Sequence, residues 1–273
     1  MTQDAWQLAH DAAAAAGVSL RPLTSLNDAA AIERVMVATW GEHQLLPSEV
    51  IRALGESGNA PYGASDGDEL VGYVLGWAGV DPVDGLHMHS HMLAALPDRR
   101  HRGVGYALKL AQRAQCLDQR IGLVRWTFDP LIARNAWFNL VKLGATADRF
   151  LPNFYGEMSD AINRGDRSDR LVVRWDLERM TPGPRPAEGA DLLDVTGDDD
   201  RRPHPHDIEP PDRGPALLRI PREYHALRAR NRETGHAWRE ATAVAFTKSF
   251  AAGFVVTGFT RDSSYVLTRK GPP

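Results

Sequence analysis

The chain of 273 residues is 43% hydrophobic and 25% charged, an ordinary globular composition with room for one large domain or one domain plus an extension. Its formal net charge of -3 supplies no global pull toward nucleic acid or anionic lipid, so neither is expected as a partner. The single cysteine, Cys116, excludes an internal disulfide framework and favours the reducing cytosol.

The opening "MTQDAWQLAHDAAAAAGVSL" reads as a short amphipathic helix. Asp4, His10 and Asp11 interrupt its alanine run and no basic segment precedes it, so it does not read as a signal peptide. No stretch is long and apolar enough to span a bilayer, and the expectation is a soluble cytoplasmic protein. "SLRPLTS" predicts a short strand. Asn27 or Asp28 is the expected cap of a helix whose apolar residues Ile32, Val35, Met36 and Trp40 share a face. "PSEVIRALGESG" predicts a shorter helix. "APYGASDGDELVGYVLGWAGV" predicts a hairpin turning at Asp66-Gly67, and "GLHMHSHMLAALP" the next strand, stopped by Pro97. A glycine-led helix over 103–118 follows. After it come the strand "GLVRWTFDP", the helix "LIARNAWFNLVKLG", a strand near "ATADRFLPNFYG" and the strand "DRLVVRWDL". This alternation implies a layered α/β sheet.

Residues 181–215 change character: proline, glycine and aspartate dominate and apolar periodicity disappears, which predicts a linker or loop. His204 and His206 lie in it and read as solvated. Order returns in 216–273 with a strand, a mainly helical stretch and a hairpin. This block is too small to bury its own surface. It is expected to pack on the domain formed by 1–180 or on a partner subunit, so a homodimer is one open alternative.

The start of the glycine-led helix is chemically odd. Arg99, Arg100, His101 and Arg102 crowd the end of a helix that already carries partial positive charge and free N–H groups. An anion bound there resolves the conflict. Gly103 and Gly105 let a ligand approach the backbone, and the first-turn N–H groups then point at its charge. The competing reading is a solvated basic cluster with glycines for close packing. A dinucleotide fingerprint fits poorly, because Leu108 fills its third small position and a charged run separates strand from glycines.

"HMLAALPDRRHRGVGYAL" resembles the coenzyme A loop of the GCN5-related N-acetyltransferases (GNAT). Arg100, Gly103 and Gly105 fill that family's Arg/Gln-x-x-Gly-x-Gly/Ala pattern, and "RNAWFNLVKLGA" resembles its asparagine-bearing helix. Longer stretches, among them "WTFDPL" and "NRGDRSDRLVV", resemble a subgroup of amino-acid N-acyl and succinyltransferases. The resemblance spans roughly residues 20–180. It implies an α/β fold with a GNAT-like mixed, mostly antiparallel sheet flanked by helices, here carrying a C-terminal strand–helix–hairpin extension. It also implies transfer of an acetyl or larger acyl group from acetyl-CoA, succinyl-CoA or another acyl-CoA to an amine, with a small molecule such as an amino acid as acceptor. The implied coenzyme A contacts are Leu93, Ala95, Arg100, His101, Arg102, Gly103, Val104, Gly105 and Tyr106 around the loop, and Asn135 on the second helix.

For the proton, "LHMHSHM" is the notable stretch. His87, His89 and His91 alternate, so on a regular strand they face one side. His89 falls, by resemblance, where one branch of the family carries its base, and His89 or His91 is the candidate general base. The same residues could equally make ordinary hydrogen bonds. One flat strand offers poor tetrahedral geometry for zinc, and no metal is expected. The resemblance assigns the backbone N–H of Ala95 to the developing oxyanion. The tyrosine the family often uses as acid is replaced by Leu140, and Tyr106 and Tyr155 are not at its place. Two rivals therefore stand beside the enzyme: a non-catalytic acyl-CoA sensor, and a protein N-acetyltransferase.

Overall fold

The computed structural model describes residues 2–42, 45–99, 102–156, 165–179, 188–195, 203 and 209–270. The chain forms two compact units, Met1–Trp126 with Asp176–Glu178, and Thr127–Trp175 with Arg179–Pro273.

The first unit contains α1 (Thr2–Ala15), β1 (Ser19–Pro22), α2 (Leu26–Trp40), α3 (Ser48–Glu56), β2 (Tyr62–Asp66), β3 (Glu69–Asp81), β4 (Gly85–Ala95), α4 (Val104–Asp118) and the greater part of β5 (Leu123–Phe128). The strands lie in the order β1-β2-β3-β4-β5. All neighbours are antiparallel except β4 and β5, which run parallel. Apolar side chains leave both faces of β3 and β4, so each face needs a helical cover. On one face Tyr73, Leu75 and Ala94 pack with Ile32, Val35 and Met36 of α2. On the other, Val71 and Val74 pack with Val104 and Leu108 of α4. The cap of α2 is Ser25, not Asn27 or Asp28. The Ser25 hydroxyl accepts from the Asp28 N–H at 3.1 Å, and the Asp28 carboxylate accepts from the Ser25 N–H at 2.9 Å. This reciprocal pair starts the helix earlier than Asn27 or Asp28 could.

One irregularity shapes β4. Leu75 pairs with Met92 and Gly76 with Ser90, which leaves His91 as an extra residue in a β-bulge. The bulge keeps His91 and Met92 on one face in succession and reverses the alternation that follows. Met92 and Ala94 face α2, while Leu93 and Ala95 face α4. Gly76 permits it: a Cβ there would stand 2.5 Å from the His89 carbonyl oxygen and 3.1 Å from Met88 Sδ. Gly76→Ala is therefore expected to destabilise the protein by about 1–3 kcal/mol, the usual cost of overpacking, read as a lower Tm. An unchanged Tm would show that the bulge relaxes freely.

The second unit holds α5 (Ala133–Ala136), β6 (Thr146–Leu151), β7 (Arg170–Asp176), β8 (Ala190–Asp191), β9 (Ala216–Arg219), α6 (Tyr224–Arg230), α7 (Arg232–Ala251), β10 (Phe254–Phe259) and β11 (Ser264–Arg269). Its order is β7-β6-β10-β11-β9-β8. The single helix expected over "LIARNAWFNLVKLG" is short. It passes at Trp137 into a π-helical turn ending at Lys142, where the Leu143 N–H reaches the Phe138 carbonyl at 3.0 Å. Gly144, at φ +68°, then stops the helix.

The C-terminal block builds this unit rather than standing beside it. β10 pairs with β6 at Val256↔Ala147, and Phe246 stacks on Phe150 at 5.7 Å between ring centroids. Arg239, only 1% exposed, donates to both Asp129 oxygens at 2.7 and 2.9 Å and to Asp166 at 2.6 Å. Burial opposes its charge, but the Asp129 and Asp166 carboxylates outweigh this and hold it firmly cationic. Tyr265 donates to the Pro130 carbonyl at 2.6 Å. Within the proline-rich stretch, β8 runs parallel to β9, and Leu192 and Leu193 are buried. The rest of that stretch, with His204 and His206, falls largely outside the described residues.

Candidate active site

Two pieces of the first unit flank the end of β4. One is the histidine face. His89 and His91 both lie against Trp77, at 4.9 and 4.8 Å between ring centroids, and 5.7 Å from each other. His89 is half-buried and His91 is exposed on the bulge. Burial lowers both; for His89 the neighbouring His91, His87 and Lys109 add to it and the imidazole falls to about 4. It is neutral at physiological pH and able to accept a hydrogen bond or a proton. His87 is buried, with Nδ1 3.0 Å from the Gly85 carbonyl oxygen, and reads as structural. Among the described residues no group of three or more His, Cys, Asp or Glu is arranged to hold a metal ion.

The second piece is the helix start. Gly103 caps α4 in the left-handed region at φ +93°, which favours glycine, and no side chain caps the helix. Tyr106 and Ala107 donate to the Gly103 carbonyl at 3.0 Å each. The N–H groups of Val104 and Gly105 meet no acceptor among the described residues. Gly105 differs from Gly103: its backbone is helical, and a Cβ there would only touch Leu93 at 3.7 Å. Packing therefore does not require a glycine at 105, although glycine in a helix costs about 1 kcal/mol relative to alanine. The first-turn N–H groups are of a kind that suits an anionic group. Arg99 is taken up by Asp66 at 2.6 Å, leaving exposed Arg102 as the described cation at this end. Arg100 and His101 lie outside the described residues.

Between the two pieces runs the backbone edge of β4. The Leu96 N–H donates to Val71 at 2.9 Å, which fixes the alternation of the ladder. Ala94 and Met92 therefore point their backbone groups at β3, and Leu93 and Ala95 point theirs away from it. On that other side, the described pairs with β5 are Met88↔Val124 and His89↔Arg125. A strand edge, a helix N-terminus and a neutral imidazole pair thus lie within a few residues of each other along the chain around the end of β4, the imidazoles against Trp77 on the α2 side and the helix start on the other.

Residues 29–131 match the Acetyltransferase (GNAT) family. That match spans less than half of the chain. The chain's mixed, mostly antiparallel open sheet with flanking helices is the GNAT fold, as the resemblance implied. Among solved structures, the chain is similar to the ribosomal-protein-S18-alanine N-acetyltransferase of Escherichia coli, at 12% identity, 59% of this chain, 94% of that one and a TM-score of 0.46. It is also similar to Chaetomium thermophilum Naa20 in complex with a bisubstrate analogue, at 17% identity, 60% of this chain, 88% of that one and a TM-score of 0.47. No curated protein sequence matches the chain.

The remaining candidates divide by unit. Tyr106 is partly exposed in the first turn of α4, on the helix whose start is described above. Asn135 is exposed on α5 of the second unit. Leu140 is buried in the π-helical turn and supplies no acid. Tyr155 is exposed, with its hydroxyl 3.3 Å from the Thr127 hydroxyl. Trp126 and Phe128 are core residues. Sequence reading passed over Lys109, which is 2% exposed on α4. Its Nζ donates to Ser90 Oγ at 2.7 Å and Gln112 Oε1 at 3.1 Å, and sits 3.9 Å from the Trp126 ring centroid. Burial pulls this ammonium down to about 7, against a smaller upward pull from Cys116. The only sequence signal was its position: Lys109 stands next to Leu108 in a helix whose inner face is otherwise mostly apolar.

Proposed function

We propose that the protein transfers an acyl group from an acyl-CoA to the amine of a small molecule, with an amino acid as acceptor and acetyl or succinyl as the group moved. The observation that supports the coenzyme A half is Gly105, a glycine that packing does not need, at a helix start where the Val104 and Gly105 N–H groups meet no acceptor among the described residues. In this reading the first-turn N–H groups, Arg100, His101 and Arg102 hold the diphosphate, with Gly103, Val104, Gly105 and Tyr106 forming the wall around it. The outward backbone groups of Leu93 and Ala95 bind the pantetheine arm, as the resemblance suggests. Acyl-CoA supplies an activated thioester carbonyl. His89 or His91, neutral at physiological pH, accepts the proton of the amine, directly or through water. The amino-acid acceptor and the succinyl group are supported by the stretches "RNAWFN" and "NRGDRSDRLVV", and a cytoplasmic setting by the single buried thiol.

The test is thiol release by the purified full chain, offered acetyl-CoA and succinyl-CoA with a panel of amino acids and of N-terminal peptides. Free thiol should appear with amino acids and not with peptides. Release with peptides alone would make it a protein N-acetyltransferase. Tight acyl-CoA binding with no release from any amine would make it a sensor.

A further inference from the structure

A lysine with 2% exposure and no carboxylate beside it among the described residues is an expensive core residue. Among the described residues the partners of Lys109 are Ser90, Gln112 and the face of Trp126, all uncharged. A leucine or methionine would fill the same space without the desolvation cost. What the ammonium adds is direction. Its three partners stand on three elements, β4, α4 and β5, at one level of the sheet.

That level is where β4 and β5 part. Their described pairs are Met88↔Val124 and His89↔Arg125. Ser90 and Trp126 are the next residue on each strand. The side chains that would lead the next step of the ladder are thus both turned to the same ammonium. One residue further, His91 occupies the bulge, and beyond it Leu93 turns its backbone away from β3. On the β3 side, the missing Cβ of Gly76 lets β4 sit close, with the amide nitrogen of Gln112 within 3.1 Å of that position. The polar cluster and the bulge are therefore one local construction.

We propose that Lys109 is a positioning residue: its buried ammonium wedges the fork between β4 and β5 and keeps the outward backbone edge of Leu93 available to the thioester arm. The second half of this statement rests on the acyl-CoA reading above; the first half does not. Lys109 touches no substrate in this scheme. It acts through Ser90 on one strand and Trp126 on the other.

The experiment uses the full chain and two variants. Lys109→Met removes the charge and keeps most of the volume; Ser90→Ala removes only the β4 contact and guards against a misfolded first variant. Amide hydrogen exchange is followed by NMR in the ligand-free proteins, and acetyl-CoA affinity by calorimetry. Lys109→Met should keep or raise its Tm, because losing an uncompensated buried charge is often neutral or stabilising. The exchange rate of the Leu93 amide should change about tenfold or more while that of Ala94, which faces β3, stays the same. Acetyl-CoA binding should weaken about tenfold, the effect of losing one charged hydrogen bond. Ser90→Ala should shift both in the same direction and less. Unchanged Leu93 exchange in both variants overturns the wedge. Altered exchange with unchanged acetyl-CoA affinity upholds the wedge and overturns the use of this edge by the thioester arm. A purely structural lysine would lower Tm and leave the Leu93-to-Ala94 ratio alone.

Discussion

Gly105→Glu is expected to abolish acetyl-CoA binding while leaving the ligand-free protein folded. The space exists: a Cβ at 105 meets nothing nearer than Leu93 at 3.7 Å, and the backbone there is helical. A carboxylate in the first turn of α4 also suits the helix dipole, so the free protein should lose little stability. Binding is another matter. The carboxylate stands where the first-turn N–H groups would hold an anion. Two unit negative charges ~4 Å apart repel by about 4 kcal/mol at an effective dielectric constant of ~20, which weakens binding about a thousandfold. Calorimetry with acetyl-CoA measures the loss, and thermal unfolding without ligand checks the fold. Gly105→Ala is the matched control and should cost far less. Equal affinity of Gly105→Glu and the parent protein would remove the cradle from the assignment.

Replacing the histidines should separate binding from chemistry. His89→Ala and His91→Ala should each leave acetyl-CoA affinity unchanged, because neither lies on the helix start. Loss of the one that serves as base should lower kcat by roughly 10²–10⁴-fold, the usual span for general acid–base catalysis. The pH profile identifies it. An ordinary imidazole would place the acid limb near neutrality. Burial, then His91, His87 and Lys109, hold His89 down at about 4, so a rate that depends on His89 should fall only as pH drops toward 4. The same shift makes a stability prediction. The unfolded chain binds a proton at His89 more readily than the folded one, so stability present above about 6.5 is lost as pH falls toward 4. His89→Ala should remove that slope. Full turnover in both variants would return the pair to a structural role.

The succession of elements was legible along the chain because local signals agree with the final structure. Turn chemistry at Asp66-Gly67 and the stop at Pro97 bounded β2, β3 and β4 closely. The cationic, glycine-led helix start was legible too, because charge against a helix dipole is a local conflict visible in the letters themselves. Three other features were not legible. The bulge at His91 depends on how β4 is read against β3, and its register is a property of two strands. The cap of α2 went to Ser25 because a reciprocal hydrogen-bond pair with Asp28 outcompetes a single cap further in. Lys109 resembled any solvated helix lysine until α4 was laid on the sheet.

By itself, the sequence determined the order of helices and strands, the glycine-led helix start and the histidine-bearing strand, since each depends on residues within about one turn or one hairpin of each other. Tertiary structure alone decided the reversal of facing after His91, the burial of Lys109 between Ser90 and Trp126, and the insertion of β10 beside β6 in the second unit. These depend on desolvation and strand register, which are set by partners far away along the chain and have no local signature in it.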